Sequence, residues 1–479
     1  MKKTINIIFA VCILVISDIT LISAQESTTL QFMKGMPQSD LQNPALHNDS
    51  SKVVIGLPGL SGAYFDFNSP FAVNDVIHKG TGMLADSLVV DIDRFYNKLG
   101  NTNPVQQHMN LPLFYLGIRS KKSFYSLGVT FKEIAQFSFE KSLVAFIKDG
   151  NDPYLGQNYN LGDLTVNSFG YSEIALGYSN EVIRNKLTIG AKVKALYGNF
   201  AAQTERMNVK VETAADGSSL SLKTDMKINL ASPLTVEYDQ DGYFSGMNSD
   251  NIEPTDVIMQ TDNFGLAFDL GAVYKVTPKL NLSASIIDIG KISFKNNVDN
   301  FTKSSSYNWS GIDFSNSIDK SGENYVNPSD IAEGELDKME STFKPKKSDF
   351  SSNAFDVKIP TKIFIGGTYE INDKFNVGIL DRLYKFGNTS TNSVTLSGNA
   401  FLGNFFSLTG SYSIIGNSNN NIGLGAAFRL GFMQLYLVSD NLLSLNDPAK
   451  AQFVNARFGM NFLFGRKHKP KMVDQPEIQ

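Results

Sequence analysis

A strict two-residue alternation runs through residues 264–290, FGLAFDLGAVYKVTPKLNLSASIIDIG, and it leaves few folds open. Phe264, Leu266, Phe268, Leu270, Ala272 and Tyr274 share one parity, and Gly265, Ala267, Asp269, Gly271, Val273 and Lys275 share the other. Alternate side chains of a strand point to opposite faces, so this is a strand with one apolar face and one small or polar face. Residues 276–279 contain Pro278, which cannot donate to a ladder, and read as a tight turn. Leu280, Leu282, Ala284 and Ile286 then resume the pattern against Asn281, Ser283 and Ser285. An apolar face of this kind suits either a soluble core or contact with lipid.

Strand length decides between them. Residues 405–414, 421–430 and 453–464 alternate in the same way. Each run is about ten residues, the length of a tilted transmembrane strand, whereas strands of soluble sheets are usually about five or six. The non-apolar parity carries Asn455, Arg429 and Arg457, as a water-filled or polar lumen would. The whole chain divides into strands at 53–66, 110–119, 123–133, 169–179, 187–198, 264–275, 280–294, 361–371, 375–386, 393–402, 405–415, 421–430, 433–441 and 453–464. The links at 120–122, 180–186, 276–279, 371–373, 403–404 and 431–432 are short, while those at 67–109, 134–168, 199–263 and 295–360 are long. All the long links fall on one side, the asymmetry of barrels with short periplasmic turns and long outer loops. The expected fold is all-β: a transmembrane antiparallel barrel of about fourteen strands. Residues 207–230 also alternate around Asp216-Gly217, a hairpin turn signal. Both their faces are polar, so they read as a strand extension outside the membrane, and would make sixteen strands if they lay in the wall. Residues 138–151 and 327–341 read as short surface helices, the second with Ser329 near its cap.

The N-terminus has the parts of a secretory leader. Lys2 and Lys3 precede the apolar run INIIFAVCILVI, and small residues come after it before Gln25. The run is short for a membrane anchor and Asp18 keeps it from extending further, so residues 1–24 read as a signal peptide cleaved after Ala24. The one cysteine, Cys12, lies in that leader, which leaves the mature chain no disulfide, thiolate metal site or cysteine nucleophile. The formal net charge of −4 gives no reason to expect nucleic acid. With 35 Phe, 18 Tyr and 38 Gly, the composition suits aromatic-faced strands. Residues 25–52 are too polar for the wall and suit a plug or hatch in the lumen. Residues 465–479 form a basic periplasmic tail, RKHKPK at 466–471 being its core, and are either solvated or in contact with lipid headgroups or a partner.

Asn43, Pro44 and Ala45, in QNPAL just before the first strand, carry a resemblance. The motif is similar to the Asn-Pro-Ala stretch of the long-chain fatty-acid transporters of the outer membrane (FadL-type) and of related barrels that act as shuttles in protein secretion (PorV-type). GMPQSDLQNPAL with the stretch from VVIGLPGLSGAYFDF to NDVI also resembles a family of barrels with no assigned function. The resemblance implies a fourteen-stranded barrel with an N-terminal hatch and brings no substrate. Without it, Asn-Pro reads simply as the start of a turn.

Chemical signatures are sparse. His47, His78, His108 and His468 have no metal-pair spacing, and no HExxH or GxSxG occurs. Asp239, Asp241, Asp250 and Asp256 lack calcium-loop spacing and read as a solvated acidic loop. No enzyme and no cofactor are expected. Asp269, Lys275, Arg429 and Arg457 are expected to face the lumen. Asp288, Asp381 and Asp440 sit near the outer ends of their strands and read as rim acids. By strict parity Asp288 and Asp381 point at lipid, unless the strands have left the membrane there or a bulge flips the phase. The reading is an outer-membrane barrel in a Gram-negative envelope: a hatch-plugged channel for small hydrophobic or amphipathic molecules, or a non-transporting barrel subunit or adaptor of a secretion or assembly complex. Its partners would be outer-membrane lipid, a small hydrophobic ligand and an outer-membrane protein, with no nucleic acid.

Overall fold

The computed structural model describes residues 28–33, 35–47, 51–250, 261–318, 325–387, 389–403, 405–415 and 418–465. Fourteen antiparallel strands form the wall. They are β1 (Val53–Gly56 and Ala63–Asn68), β2 (Thr102–Ser120), β3 (Ser123–Glu140), β4 (Thr165–Ile183), β5 (Leu187–Thr213), β6 (Phe264–Lys275) and β7 (Leu280–Phe294). The remainder are β8 (Phe355–Lys358 and Thr361–Glu370), β9 (Phe375–Phe386), β10 (Thr389–Leu402), β11 (Phe406–Ile415), β12 (Ser418–Leu430), β13 (Met433–Ser439) and β14 (Phe453–Phe464). Both halves of β1 pair with β2 on one side and β14 on the other, which closes the sheet and leaves it without a free edge.

The alternation sorts by side as physics requires. Phe264, Leu266, Phe268 and Leu270 are exposed on the outer surface, and Ala267 and Asp269 are buried inside. On β14, Phe458 points outward while Asn455, Arg457 and Asn461 are buried in the lumen. No helix among the described residues is long and apolar enough to cross a membrane. The strands alone make the wall.

Beyond the outer end, the second half of β5 leaves the wall and pairs with Leu220–Ala231, which pairs in turn with Asn300–Trp309. The 207–230 hairpin is therefore an outer extension, and the wall count is fourteen. Two helices, Lys141–Asp149 and Pro328–Phe343, lie in outer connections. The second is capped by Asn327, whose side chain accepts from the Ser329 amide, so the cap falls two residues earlier than Ser329.

The first strand departs from expectation. Residues 57–62, LPGLSG, interrupt it between Gly56 and Ala63. Pro58 has no N–H to give, and Gly59 and Gly62 adopt positive φ of 71° and 141°. The loop stays tied to both neighbours: the Gly59 amide donates to the Pro112 carbonyl (2.7 Å), and the Met460 amide to the Leu60 carbonyl (2.6 Å). The β2–β3 register also shifts between Pro112 and Phe114, beside this interruption.

Candidate functional site

The lumen is occupied by the chain's own N-terminus. Residues 28–33 and 35–47 lie along the inside, with two 3-10 turns at Thr29–Phe32 and Pro37–Leu41. Leu30, Met33 and Met36 are buried against Ala427, Tyr436 and Val438 of the wall, and Phe32 against Ile287, Phe364 and Leu380. Gln38 and Asn461 exchange amide hydrogen bonds of 2.7 and 3.0 Å. Asp40 accepts from the Tyr115 hydroxyl at 2.9 Å and pairs with Lys192 at 3.1 Å.

The wall makes room for this segment with glycines on its inner face. A Cβ on Gly271 would lie 2.1 Å from Asn43 Oδ1, and one on Gly190 would lie 2.5 Å from the Pro44 carbonyl carbon. Gly378 leaves space for the Phe32 ring and Gly425 for the Met33 sulfur in the same way. In the cradle between Gly190 and Gly271, the Asn43 amide donates to the carbonyls of Ala272 and Ala284 at 3.2 Å each. Its Oδ1 accepts the Ala45 amide at 2.9 Å. The Asn-Pro-Ala residues thus do two things at once: they turn the chain and fasten it to the β6–β7 hairpin.

A belt of buried charge lies beside the segment. Lys194 reaches Asp269 at 2.7 Å and Asp288 at 2.5 Å, Lys132 reaches Glu173 at 2.7 Å, and Lys362 reaches Asp288 at 3.1 Å. Three ammonium and three carboxylate groups, from β3 through β8, neutralise one another away from bulk water, the condition under which buried charge is tolerated. Towards the outer end the lumen is packed with Phe169, Tyr171, Phe294, Tyr384 and Phe386, with Ile292 and Val357 among them.

The sequence-derived site residues separate into groups. Asp269, Arg429 and Arg457 are buried inside the barrel. Lys275 is not: as the last residue of β6 it stands exposed at the turn, because the strand has run out of lumen there. Asp288 does not point at lipid and is not a free rim acid. Phe268 pairs with Ile289 but Leu270 with Ile286, so Asp269 opposes both Ile287 and Asp288. This bulge, with Asp288 at φ 62°, turns the carboxylate inward onto the lysines. Asp440 is also interior. It accepts the Thr28 and Thr29 amides at 3.0 and 2.9 Å and the Asn455 side-chain amide at 2.9 Å. Asp381 stays on the outward parity, half-buried, across from Ile365 and Val394 and hydrogen-bonded to Asn392. The three acids therefore do not form one rim.

Sequence reasoning did not single out Asp40, Lys132, Glu173, Lys192, Lys194 or Lys362. A signal existed for two of them: in AKVKAL, Lys192 and Lys194 share the parity of Gly190, which is the inner face.

A narrow cavity of about 40 Å³ lies between the segment and the wall. Gln38, Asp40 and Leu41 of the segment face Tyr115, Gly128, Lys132 and Glu173 of the wall across it. It extends to Ser61, Pro112 and Phe114, where β1 is interrupted and β2 is bulged. No cluster of metal-ligating side chains occurs among the described residues.

Among solved structures, the chain is similar to the toluene transporter TbuX of Ralstonia pickettii, with 11% identity, a TM-score of 0.39, and 90% of this chain and 94% of that one covered. It is similar to a FadL homologue of Pseudomonas aeruginosa, with 11% identity, a TM-score of 0.38, and 94% and 100% covered. The translocator domain of the autotransporter NalP of Neisseria meningitidis matches with 8% identity, a TM-score of 0.33, and 91% and 96% covered. The architecture above rests on strand pairing and takes nothing from these likenesses. No curated protein matches the chain in sequence. Residues 44–440 match the family described as a family of unknown function (DUF5723), and the chain belongs to that family.

Proposed function

We propose that this protein is an exported outer-membrane barrel in which residues 25–52 act as a hatch, and that it passes small amphipathic molecules between the lumen and the lipid. The observation that carries this reading is the cavity beside the hatch. It spans polar groups on the segment and, at its other side, Phe114, which is 36% exposed on the barrel's outer surface. It meets the wall at residues 57–62, where β1 holds only isolated hydrogen bonds to its neighbours. A molecule with a polar head and an apolar tail fits a path with one polar end and one end in lipid. A leader at residues 1–24 supplies export, and the outward apolar band supplies the membrane seat.

The test shortens the interruption. Replacing residues 57–62 by two residues that continue β1 restores regular pairing. Uptake of a dansyl-labelled amphiphile into proteoliposomes should fall to the protein-free rate while the barrel keeps its heat-modifiable mobility. Unchanged uptake by the repaired strand refutes the lateral path.

One observation favours the second reading, a barrel that transports nothing and serves an envelope assembly through its loops. The outer half of the lumen is filled by buried aromatic side chains, Phe169, Phe294, Tyr384 and Phe386 among them. A stoichiometric protein partner on native extraction, with no amphiphile bound, decides for that reading.

A further inference from the structure

We infer that the outer part of the lumen is divided in two, and that the N-terminal segment closes only the half lined by β10–β14. Withdrawal of the segment opens an off-axis, water-lined pore for ions and small hydrophilic solutes. This route is separate from the lateral one at residues 57–62 and does not depend on it.

The divide is a contact across the barrel. Asp66 on β1 and His108 on β2 are directly paired, and His108 Nδ1 lies 3.1 Å from Asp66 Oδ2. That bond fixes the ring, whose other nitrogen, Nε2, lies 3.0 Å from the Tyr384 hydroxyl of β9. β2 and β9 stand seven strands apart in a closed wall of fourteen, so the His108–Tyr384 bond spans the lumen. Asp66, His108 and Tyr384 are 0%, 8% and 1% exposed, so the contact is closed to water.

The two sides of that contact differ in chemistry. On the β3–β9 side the wall's own side chains fill the space. Phe169 and Tyr171 of β4, Leu196 of β5, Phe294 of β7 and Phe386 of β9 pack with Tyr384 into one cluster. Phe169 of β4 meets Phe386 of β9 with ring centroids 5.9 Å apart. Rings packed in this way leave no path for water.

On the β10–β14 side the wall presents hydroxyls instead. Ser393, Thr395 and Ser397 of β10 and Thr409, Ser411 and Ser413 of β11 are all buried on the inner parity. The segment covers them. The Thr395 hydroxyl donates to Thr28 Oγ1 at 3.0 Å, the Thr29 and Ser411 hydroxyls lie 2.6 Å apart, and Asp440 accepts both threonine amides. β12 gives up side chains to admit the segment: a Cβ on Gly423 would lie 2.6 Å from Thr29 Oγ1, and one on Gly425 would lie 2.6 Å from the Met33 sulfur. The Ser393 and Thr409 hydroxyls are buried without a partner among the described residues, and water satisfies such groups once it can reach them. Taking the segment away therefore uncovers a wettable wall on one side and leaves packed rings on the other.

The experiment releases the segment in the full-length chain. Leu30→Asp with Met33→Asp puts two charges where these side chains pack on Ala427, Tyr436 and Val438, and leaves the wall unaltered. Deletion of residues 28–41 is a second variant that needs no release. In a Cys12→Ser background, Ser411→Cys marks the hydroxyl side and Leu196→Cys the aromatic side. Each protein is checked for heat-modifiable mobility and placed in planar phospholipid bilayers. Current in potassium chloride is then followed on addition of the aminoethyl methanethiosulfonate cation. With the native segment there should be no steady current and little reaction at either cysteine. Release should open a steady current and speed reaction at Ser411→Cys about a hundredfold, with block of the current, while Leu196→Cys keeps its native rate. Block at both cysteines alike, or at Leu196→Cys alone, overturns the divide. A native protein that conducts, or folded variants of both kinds that do not, overturns the assignment of the segment as the closure of the β10–β14 side. Current that neither cysteine blocks places the pore elsewhere and overturns the inference as well.

Discussion

Gly271→Val should detach the lower part of the N-terminal segment while leaving the barrel intact. The new Cβ points into the lumen, where it would lie 2.1 Å from Asn43 Oδ1 and 2.9 Å from Pro44 Cδ. The wall cannot retreat, because Gly271 is paired on both sides, with Gly190 and with Ser285. The Asn43 side chain must therefore leave, and with it go the bonds to the Ala272 and Ala284 carbonyls and from the Ala45 amide. At about 1 kcal/mol for each bond, three losses come to roughly 3 kcal/mol, or about a hundredfold in the population of the detached form. The upper part stays, since Asp440 holds Thr28 and Thr29, and Leu30, Met33 and Met36 remain packed.

The assay uses the scarcity of cysteine. Cys12 is the one cysteine in the sequence, and a Cys12→Ser background leaves the chain without one. Ala45→Cys, at a site 5% exposed, then reports alone. Its labelling rate with a membrane-impermeant maleimide should rise about a hundredfold when Gly271→Val is added, as expected for fast opening before slow reaction. Gly398→Val is the control, because a Cβ there meets nothing within 4 Å. An unchanged rate with Gly271→Val, or an equal rise with Gly398→Val, refutes the cradle.

Three further outcomes rest on the same geometry. Phe458→Arg places a cation on a lipid-facing position 47% exposed and should cost about 2–4 kcal/mol, read as loss of heat-modifiable assembly, whereas Phe458→Leu should assemble normally. Asp288→Asn keeps the bulge, since Asn tolerates positive φ, but removes the carboxylate shared by Lys194 and Lys362. It should lower the urea stability of the barrel in liposomes by about 3–5 kcal/mol. An epitope tag at Ser305, in the outer sheet, should bind antibody on intact cells, and one at Thr277, in the β6–β7 turn, should not; the reverse pattern inverts the topology.

The wall was legible because lipid and lumen impose opposite demands on alternate residues of the same strand. Legibility ended where one of those demands ended. In the outer continuations of β2 and β5, such as 102–109 and 199–213, polar residues stand on both parities, so these stretches carry little alternation. The break at 57–62 was written in the sequence by Pro58, which a paired strand interior does not accommodate. The bulge had a signal too: Ile286 and Ile289 are apolar and three residues apart, and only a phase change lets both keep the outward side with Asp288 inside. Sequence could not supply which inward residues meet. Lys132, Glu173, Lys194, Asp269, Asp288 and Lys362 come from six different strands. Their convergence follows from the register of the closed sheet and from the level each occupies in it.

The attachments of the N-terminal segment explain why it docks rather than trailing into the periplasm. At the upper level the wall presents Asp440, a buried carboxylate held by amide and hydroxyl donors, and the segment brings the Thr28 and Thr29 amides to it. At the lower level the wall presents Lys192, buried, and the segment brings Asp40. The two wall charges have opposite sign, and the segment carries a matching group for each. With the segment withdrawn, Asp440 loses both threonine amides and retains the Asn455 amide, and Lys192 loses the Asp40 carboxylate. Stranded buried charges of this kind cost several kilocalories per mole unless water replaces the lost partner. Admitting that water also wets the faces of Ala427, Tyr436 and Val438 that Leu30, Met33 and Met36 now cover. The polar and apolar terms therefore act in the same direction.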